Sequence, residues 1–272
     1  LLAISSGHLD IAKLLLQHGD VNVNVSNNDG STPLVCALAN NNNNLDILKI
    51  VLETKDINVN LPNGDGITPL VFAITCCDLE IINILLSHRD IDINLAIDGG
   101  LTPLLFALTQ DRADIATIIL KHGDINVNLA DKDGMTSFIF ASGSGYCGIV
   151  KQILGIENID VNQAHTDGTN ALMVASCAGH IDVVRLLLQQ PNIDLNAECK
   201  GYTCFAFAIQ KDHHEIVQLL TDAGAIPSTK FYRGTSDQIG LHTDTKCAKS
   251  HGLVRFNTPR GFNCDICSLK VP

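Results

Sequence analysis

The last 26 residues of the chain carry four side chains that soft metal ions favour: Cys247, His251, Cys264 and Cys267. A structural zinc site takes four nitrogen or sulfur ligands, so this set suffices by itself for a Cys3His site. The stretch "RGFNCDIC" puts Cys264 and Cys267 at C-x-x-C spacing, a pattern that redox proteins also use. No βαβ pattern surrounds it, which makes redox the weakest reading, and unrelated thiols in a loose tail are a third. Other tempting groups lead nowhere chemically. "SGSGYCG" (Ser142 to Gly148) is Gly-rich but has no Lys and no preceding strand, so it fails as a phosphate cradle. Cys147 has no base beside it, and no catalytic triad is visible.

The elements that must position such groups begin with composition. Residues 1–226 hold 11 Lys/Arg against 26 Asp/Glu, a net charge of −15, while residues 227–272 hold 7 against 3. An acidic body excludes a nucleic-acid groove, because phosphates need cationic partners. The basic end could touch anionic lipid or nucleic acid, or open a second module. At 46% hydrophobic but 4% aromatic and without Trp, the chain must build its core from Leu, Ile, Val and Ala. No apolar run reaches the ~20 residues a bilayer span requires. Seven of the ten cysteines lie in the body without a pairing pattern, and Cys36, Cys177 and Cys204 stand where small apolar residues pack. That usage points to a reducing compartment, cytoplasmic with the nucleus as alternative.

The body repeats. "DGSTPLVCAL", "DGITPLVFAI", "GGLTPLLFAL", "DGMTSFIFAS", "DGTNALMVAS" and "KGYTCFAFAI" align on Thr32, Thr68, Thr102, Thr136, Asn170 and Thr203, at intervals of 36, 34, 34, 34 and 33. A period of this length is the mark of a solenoid. Thr before Pro starts a helix, since its hydroxyl caps a free N–H and Pro suits the first position. The Gly two residues earlier suits a turn with positive φ. The first helix carries Ala37, Ala73, Ala107, Ala141, Ala175 and Ala208 in register, small enough for neighbours to approach closely. A second helix follows ("LDIAKLLL", "LEIINILL", "IDVVRLLL") with Leu and Ile at i, i+3, i+4. The connector ("DVNVN", "DINVN", "NIDLN") alternates and reads as a short β-hairpin arm. "ANNNNNLDI" adds two residues between the helices of one unit and reads as a solvated loop insertion.

These motifs resemble the ankyrin repeat family over about residues 1–226, as a partial first repeat plus six repeats. The resemblance implies an all-α ankyrin-repeat solenoid of stacked helix-turn-helix units with β-hairpin arms. The family's His after Thr-Pro-Leu is replaced by Val35, Val71, Leu105, Ile139, Met173 and Ala206, so packing must replace its hydrogen bonds. The connector is one residue longer than the common form. His8, His180 and His213 occupy the family's Gly-His slot, which stabilises the inter-helix turn, so "KDHHEI" (with His214) is structural. Leu1 aligns just past a missing Thr-Pro-Leu, so the chain is expected to be a fragment.

The tail is similar to the opening of the phorbol-ester/diacylglycerol-type zinc finger, in the spacing His251-x12-Cys264-x2-Cys267 with an aromatic before the pair. That resemblance implies two interleaved ions, His251 serving one and Cys264 and Cys267 the other, with later ligands beyond Pro272. Residues 227–246 read as a linker and 247–272 as an incomplete zinc-binding segment.

Ankyrin repeats bind through hairpin tips and the exposed face of the first helix. Here those slots hold Asp29, Asp65, Gln110, Lys132, Asp133, Met135, Lys200, Tyr202 and Lys211. Lys132 with Met135, and Lys200 with Tyr202, are the preferred anchors, each pairing a cation with Met or an aromatic. The expectation is a monomeric, non-catalytic scaffold that binds another protein through its concave face, with zinc only at the C-terminal segment. The alternatives are the targeting arm of a larger enzyme (a kinase or ubiquitin ligase) and a lipid-responsive zinc-finger protein. Membrane lipid becomes a partner only if the zinc module is complete.

Overall fold

A computed structural model describes residues 1–18, 21–40 and 45–226. The expected zinc ligands Cys247, His251, Cys264 and Cys267 and the expected linker lie outside these residues, as does most of the Asn-rich insertion. Helices follow one another in pairs along the chain: α1 (Leu2–Ser5) and α2 (Leu9–Leu16), α3 (Pro33–Ala39) and α4 (Leu45–Leu52), α5 (Pro69–Cys76) and α6 (Leu79–Leu86). Then come α7 (Pro103–Thr109) and α8 (Ala113–Ile119), α9 (Ser137–Gly143) and α10 (Cys147–Leu154), α11 (Ala171–Ala178) and α12 (Ile181–Leu188), α13 (Cys204–Gln210) and α14 (His214–Asp222). "SGSGYCG" is thus the end of α9, a turn, and the start of α10.

The starts of the first helices follow from their cap residues. Thr32, Thr68, Thr102 and Thr136 accept from the N–H three residues on at 3.1–3.3 Å, and Asn170 does the same for Met173 at 3.0 Å. Each satisfies one of the N–H groups that a helix start leaves free. Thr203 departs from this pattern: its hydroxyl is buried without a hydrogen-bond partner.

The chain divides into two compact units, one of Leu1–Ala141 with Gly148–Ile159, the other of Ser142–Cys147 with the residues from Asp160 on. In the first, α1, α3, α5 and α7 pack each on the next, and in the second α11 packs on α13. The small residues at these contacts, Ala37, Ala73 and Ala107 in one unit and Ala175 and Ala208 in the other, are all buried. Val35, Val71, Leu105, Ile139, Met173 and Ala206 are buried too, so packing does take the place of the missing His. Second helices bury one stripe, as α6 does with Ile82 and Leu85 and α12 with Val183, Val184 and Leu187. Each such side chain contributes about 1.5–3 kcal/mol of burial.

The connectors differ from the expected β-hairpin arms. Among the described residues no strand forms, and pairing is limited to isolated bridges at Ala130–Thr136, Ala164–Asn170 and Cys199–Tyr202. Side-chain amides do the ordering instead. Asn60 donates from Nδ2 to the Asp90 carbonyl at 2.7 Å and accepts from the Asp92 N–H at 2.8 Å. Asn24 binds the Asp56 carbonyl and Asn58 N–H identically, and Asn162 the Asn192 carbonyl and Asp194 N–H. Asn94 donates to Asp124 and accepts from Asn126. Four Asn side chains, spaced by the repeat, therefore each tie one connector to the next by two bonds. A strand ladder is unnecessary because the side chain satisfies the backbone groups a ladder would have paired.

Candidate partner-binding surface

Three connectors end in a tip whose shape a single side chain sets. Asn27 takes the N–H groups of Asp29 and Ser31 on its Oδ1, at 3.0 and 2.8 Å. Asn63 does so for Asp65 and Ile67, and Asp131 for Asp133 and Met135. These are Asx turns, in which the side chain imitates a turn of backbone. The Gly that follows has positive φ, 74° at Gly30 and 84° at Gly134. Neighbouring tips also bind one another directly: Gly64 N–H donates to the Gly30 carbonyl at 3.1 Å, and Lys132 N–H to the Gly99 carbonyl at 2.9 Å. A Cβ on Gly30 would run into the Gly64 backbone, so this approach requires glycine.

The last tip is built differently. Cys199 and Tyr202 exchange both backbone bonds at 2.9 Å, and the two residues between them, Lys200 and Gly201, have φ of 52° and 86°. Positive φ at both central residues is the pattern of a type I′ hairpin turn. This loop is one residue shorter than the Asx tips, which accounts for the 33-residue interval before Thr203.

The predicted contact residues fall into two groups, one per unit. In the first unit Asp29, Asp65, Lys132 and Asp133 are exposed at tips, Met135 is half-buried beside its own turn, and exposed Gln110 caps the C-terminus of α7. In the second unit Lys200 is exposed, while Tyr202 and Lys211 are half-buried at opposite ends of α13. The Tyr202 ring lies 6.1 Å from that of Phe207 at a tilt of 41°, so it is a held aromatic and not a free one. At the neighbouring tip His165 Nδ1 lies 3.1 Å from Asp167. Burial pushes the Asp167 carboxyl up, but Thr169 and His165 outweigh it and hold it below the ordinary carboxylate range.

A second set of residues fixes these elements; sequence reasoning gave His180 and His213 this role and missed Arg112 and Asn40. Before three of the second helices, and at the end of α3, a side chain reaches back to the first helix of the preceding repeat. His180 Nε2 lies 2.9 Å from the Gly143 carbonyl and His213 Nε2 3.0 Å from the Cys177 carbonyl. Arg112 donates to Ile74 at 3.2 Å and Asn40 to Ile4 at 3.0 Å. Asn40 is therefore an anchor, not part of a solvated insertion. For Arg112 the signal was positional: it fills the register slot of His180 and His213 and carries a side-chain donor as they do. His213 Nε2 is engaged there, so the first His of "KDHHEI" holds the inter-helix turn. Among the described residues no group of three His, Cys, Asp or Glu is placed to hold a metal. No helix there is long and apolar enough to cross a membrane.

Comparison with protein families finds ankyrin repeats, in blocks of three copies, matching residues 1–63, 39–131, 94–165 and 138–230. A comparison with curated proteins finds no match.

Proposed function

The chain belongs to the ankyrin-repeat family, which is in general one of non-catalytic protein-interaction modules, and we propose that it binds a partner protein through its tips and the exposed ends of its first helices. Lys132 with Met135 in the first unit and Lys200 with Tyr202 in the second are the anchors of this reading. Asp29, Asp65 and Asp133 favour cationic groups on the partner opposite the first unit's tips. Gln110 and Lys211 extend the contact to the helix ends.

The observation that carries the reading is preorganisation. Asp29, Asp65, Lys132, Asp133 and Lys200 are exposed at tips, yet the backbones there are fixed, in the first unit by Asx turns and tip-to-tip hydrogen bonds and at Lys200 by the paired bonds of Cys199 and Tyr202. A surface ordered before binding loses little entropy on binding, so its contacts appear in the affinity. Affinity capture from cell extract tests this. The chain carrying Lys132→Ala, Met135→Ala and Tyr202→Ala together should keep its helical circular dichroism and lose its captured partner. Undiminished capture by the folded triple variant would show that the partner uses another surface.

A further inference from the structure

Cys76 and Cys77 are adjacent thiols in opposite surroundings. Cys76 is the last residue of α5 and is exposed; Cys77 is only 5% exposed. Their sulfurs lie 3.5 Å apart, close enough for the S–H of one to meet the other. Cys77 also has the Leu38 carbonyl within reach of its S–H at 3.7 Å, and Cys76 the Phe72 carbonyl at 3.3 Å. The other described cysteines are buried or half-buried. None of the fold's hydrogen-bond networks requires the exposed thiol.

We propose that Cys76 is a thiol–disulfide exchange site, at which its thiolate attacks a low-molecular-weight disulfide of the glutathione-disulfide class and Cys77 positions it by donating an S–H. A bond forms between Cys76 Sγ and one sulfur of the disulfide, and the S–S bond of the reagent breaks. The departing sulfur takes both electrons of that bond and then a proton from water. Cys76 is oxidised to a mixed disulfide and one equivalent of thiol is released.

Charge and burial divide the work between the two sulfurs. The Cys77 S–H lowers the Cys76 thiol to about 7, against the opposing effect of partial burial. The Phe72 carbonyl and the C-terminal end of α5 disfavour a thiolate, so the neighbouring S–H must outweigh them. Cys77 is pushed up by its bond to Cys76, then by burial and the negative charges of Cys76 and Asp78, with Arg112 opposing. It therefore keeps its proton and is a poor second nucleophile. Once Cys76 is capped its bond and charge no longer act on Cys77, but burial and Asp78 still hold that thiol up, so collapse to a Cys76–Cys77 disulfide is slow because exchange needs a thiolate. Burial raises the Cys36 and Cys204 thiols, the latter to about 12, which leaves them slow.

The rate advantage is modest. A thiolate fraction raised from about 1% to about 50% near neutral pH, set against the lower nucleophilicity of a weaker base, leaves a gain of about fivefold. The test exposes the whole chain to glutathione disulfide, blocks remaining thiols with N-ethylmaleimide, and follows each cysteine peptide by mass spectrometry. Cys76 should acquire glutathione ahead of Cys36, Cys147 and Cys204. Cys77→Ala should slow Cys76 by about fivefold, and Cys77→Ser, which retains a donor, should restore most of the rate. A Cys76 rate no higher than that of the half-buried thiols would overturn the site. A rate unchanged in Cys77→Ala, or a Cys76–Cys77 disulfide as the main product, would overturn the role given to Cys77.

Discussion

The Asn60 amide nitrogen lies 2.7 Å from the Asp90 carbonyl oxygen, thirty residues away and one repeat on. With its Oδ1 on the Asp92 N–H, this one side chain closes the gap that a β-ladder fills elsewhere. The same bond recurs at Asn24, Asn94, Asn128 and Asn162, at 2.6–2.7 Å in each. Asn60→Ala removes both bonds and should destabilise the first unit by about 1–2 kcal/mol in urea denaturation. Asn60→Asp keeps an acceptor but turns a carboxylate on the Asp90 carbonyl, and should be no better than Ala. A stability unchanged in both variants would mean that water replaces the ladder at no cost.

A second prediction concerns Gly179 and His213. Gly179 closes α11 at φ 83°, and a Cβ there would meet His213 Cε1 at 2.7 Å. Gly179→Ala should therefore cost more than the ~1 kcal/mol of a strained backbone alone. Adding His213→Ala removes the clash but not the φ penalty, so the double variant should be less destabilised than the two single losses summed. Strict additivity in thermal melts would contradict a contact between these residues.

The third concerns acid. The hydrogen bond from Arg112 holds the Asp114 carboxyl below its ordinary value. The folded value is the lower one, so the pair's contribution is fully present above the unfolded carboxylate range and lost as pH falls through the folded value. Both groups are partly exposed, which limits that contribution to below about 1 kcal/mol. In an NMR titration, Arg112→Met should raise the Asp114 midpoint; an unmoved midpoint would remove Arg112 as the cause.

The fourth separates shape from charge at Lys200. An L side chain at φ 52° is strained, and Asn tolerates this region better. Lys200→Asn should therefore stabilise the second unit by about 0.5–1 kcal/mol. It also removes the cation proposed as an anchor, so weaker capture by a more stable chain would assign the loss to charge.

Much of the architecture was legible in the sequence because it is periodic. Thr32, Thr68, Thr102 and Thr136 announce helix starts at one spacing, and their hydroxyls do cap. The Ala column announces close helix contact, and it is buried. The connectors were read as β-hairpin arms, and among the described residues they form only isolated bridges, because alternating Val, Ile and Asn suits a pleat as well as it suits an Asn-bridged turn. Alternation records which residues face inward, not what their backbones bond to. Arg112 and Asn40 were invisible because their partners are carbonyls of the preceding repeat, and a carbonyl leaves no mark on residue type. The contact residues were placed by register alone; which of them meets a partner is not written in spacing.

The central claim is that the tips are where a partner sits. Hydrogen–deuterium exchange of the chain, alone and with its captured partner, tests it most directly. The account predicts slowed exchange on binding at the tips spanning residues 129–136 and 199–203. Slowing confined to the second helices, such as α4, α6 and α12, with the tips unchanged, would contradict it.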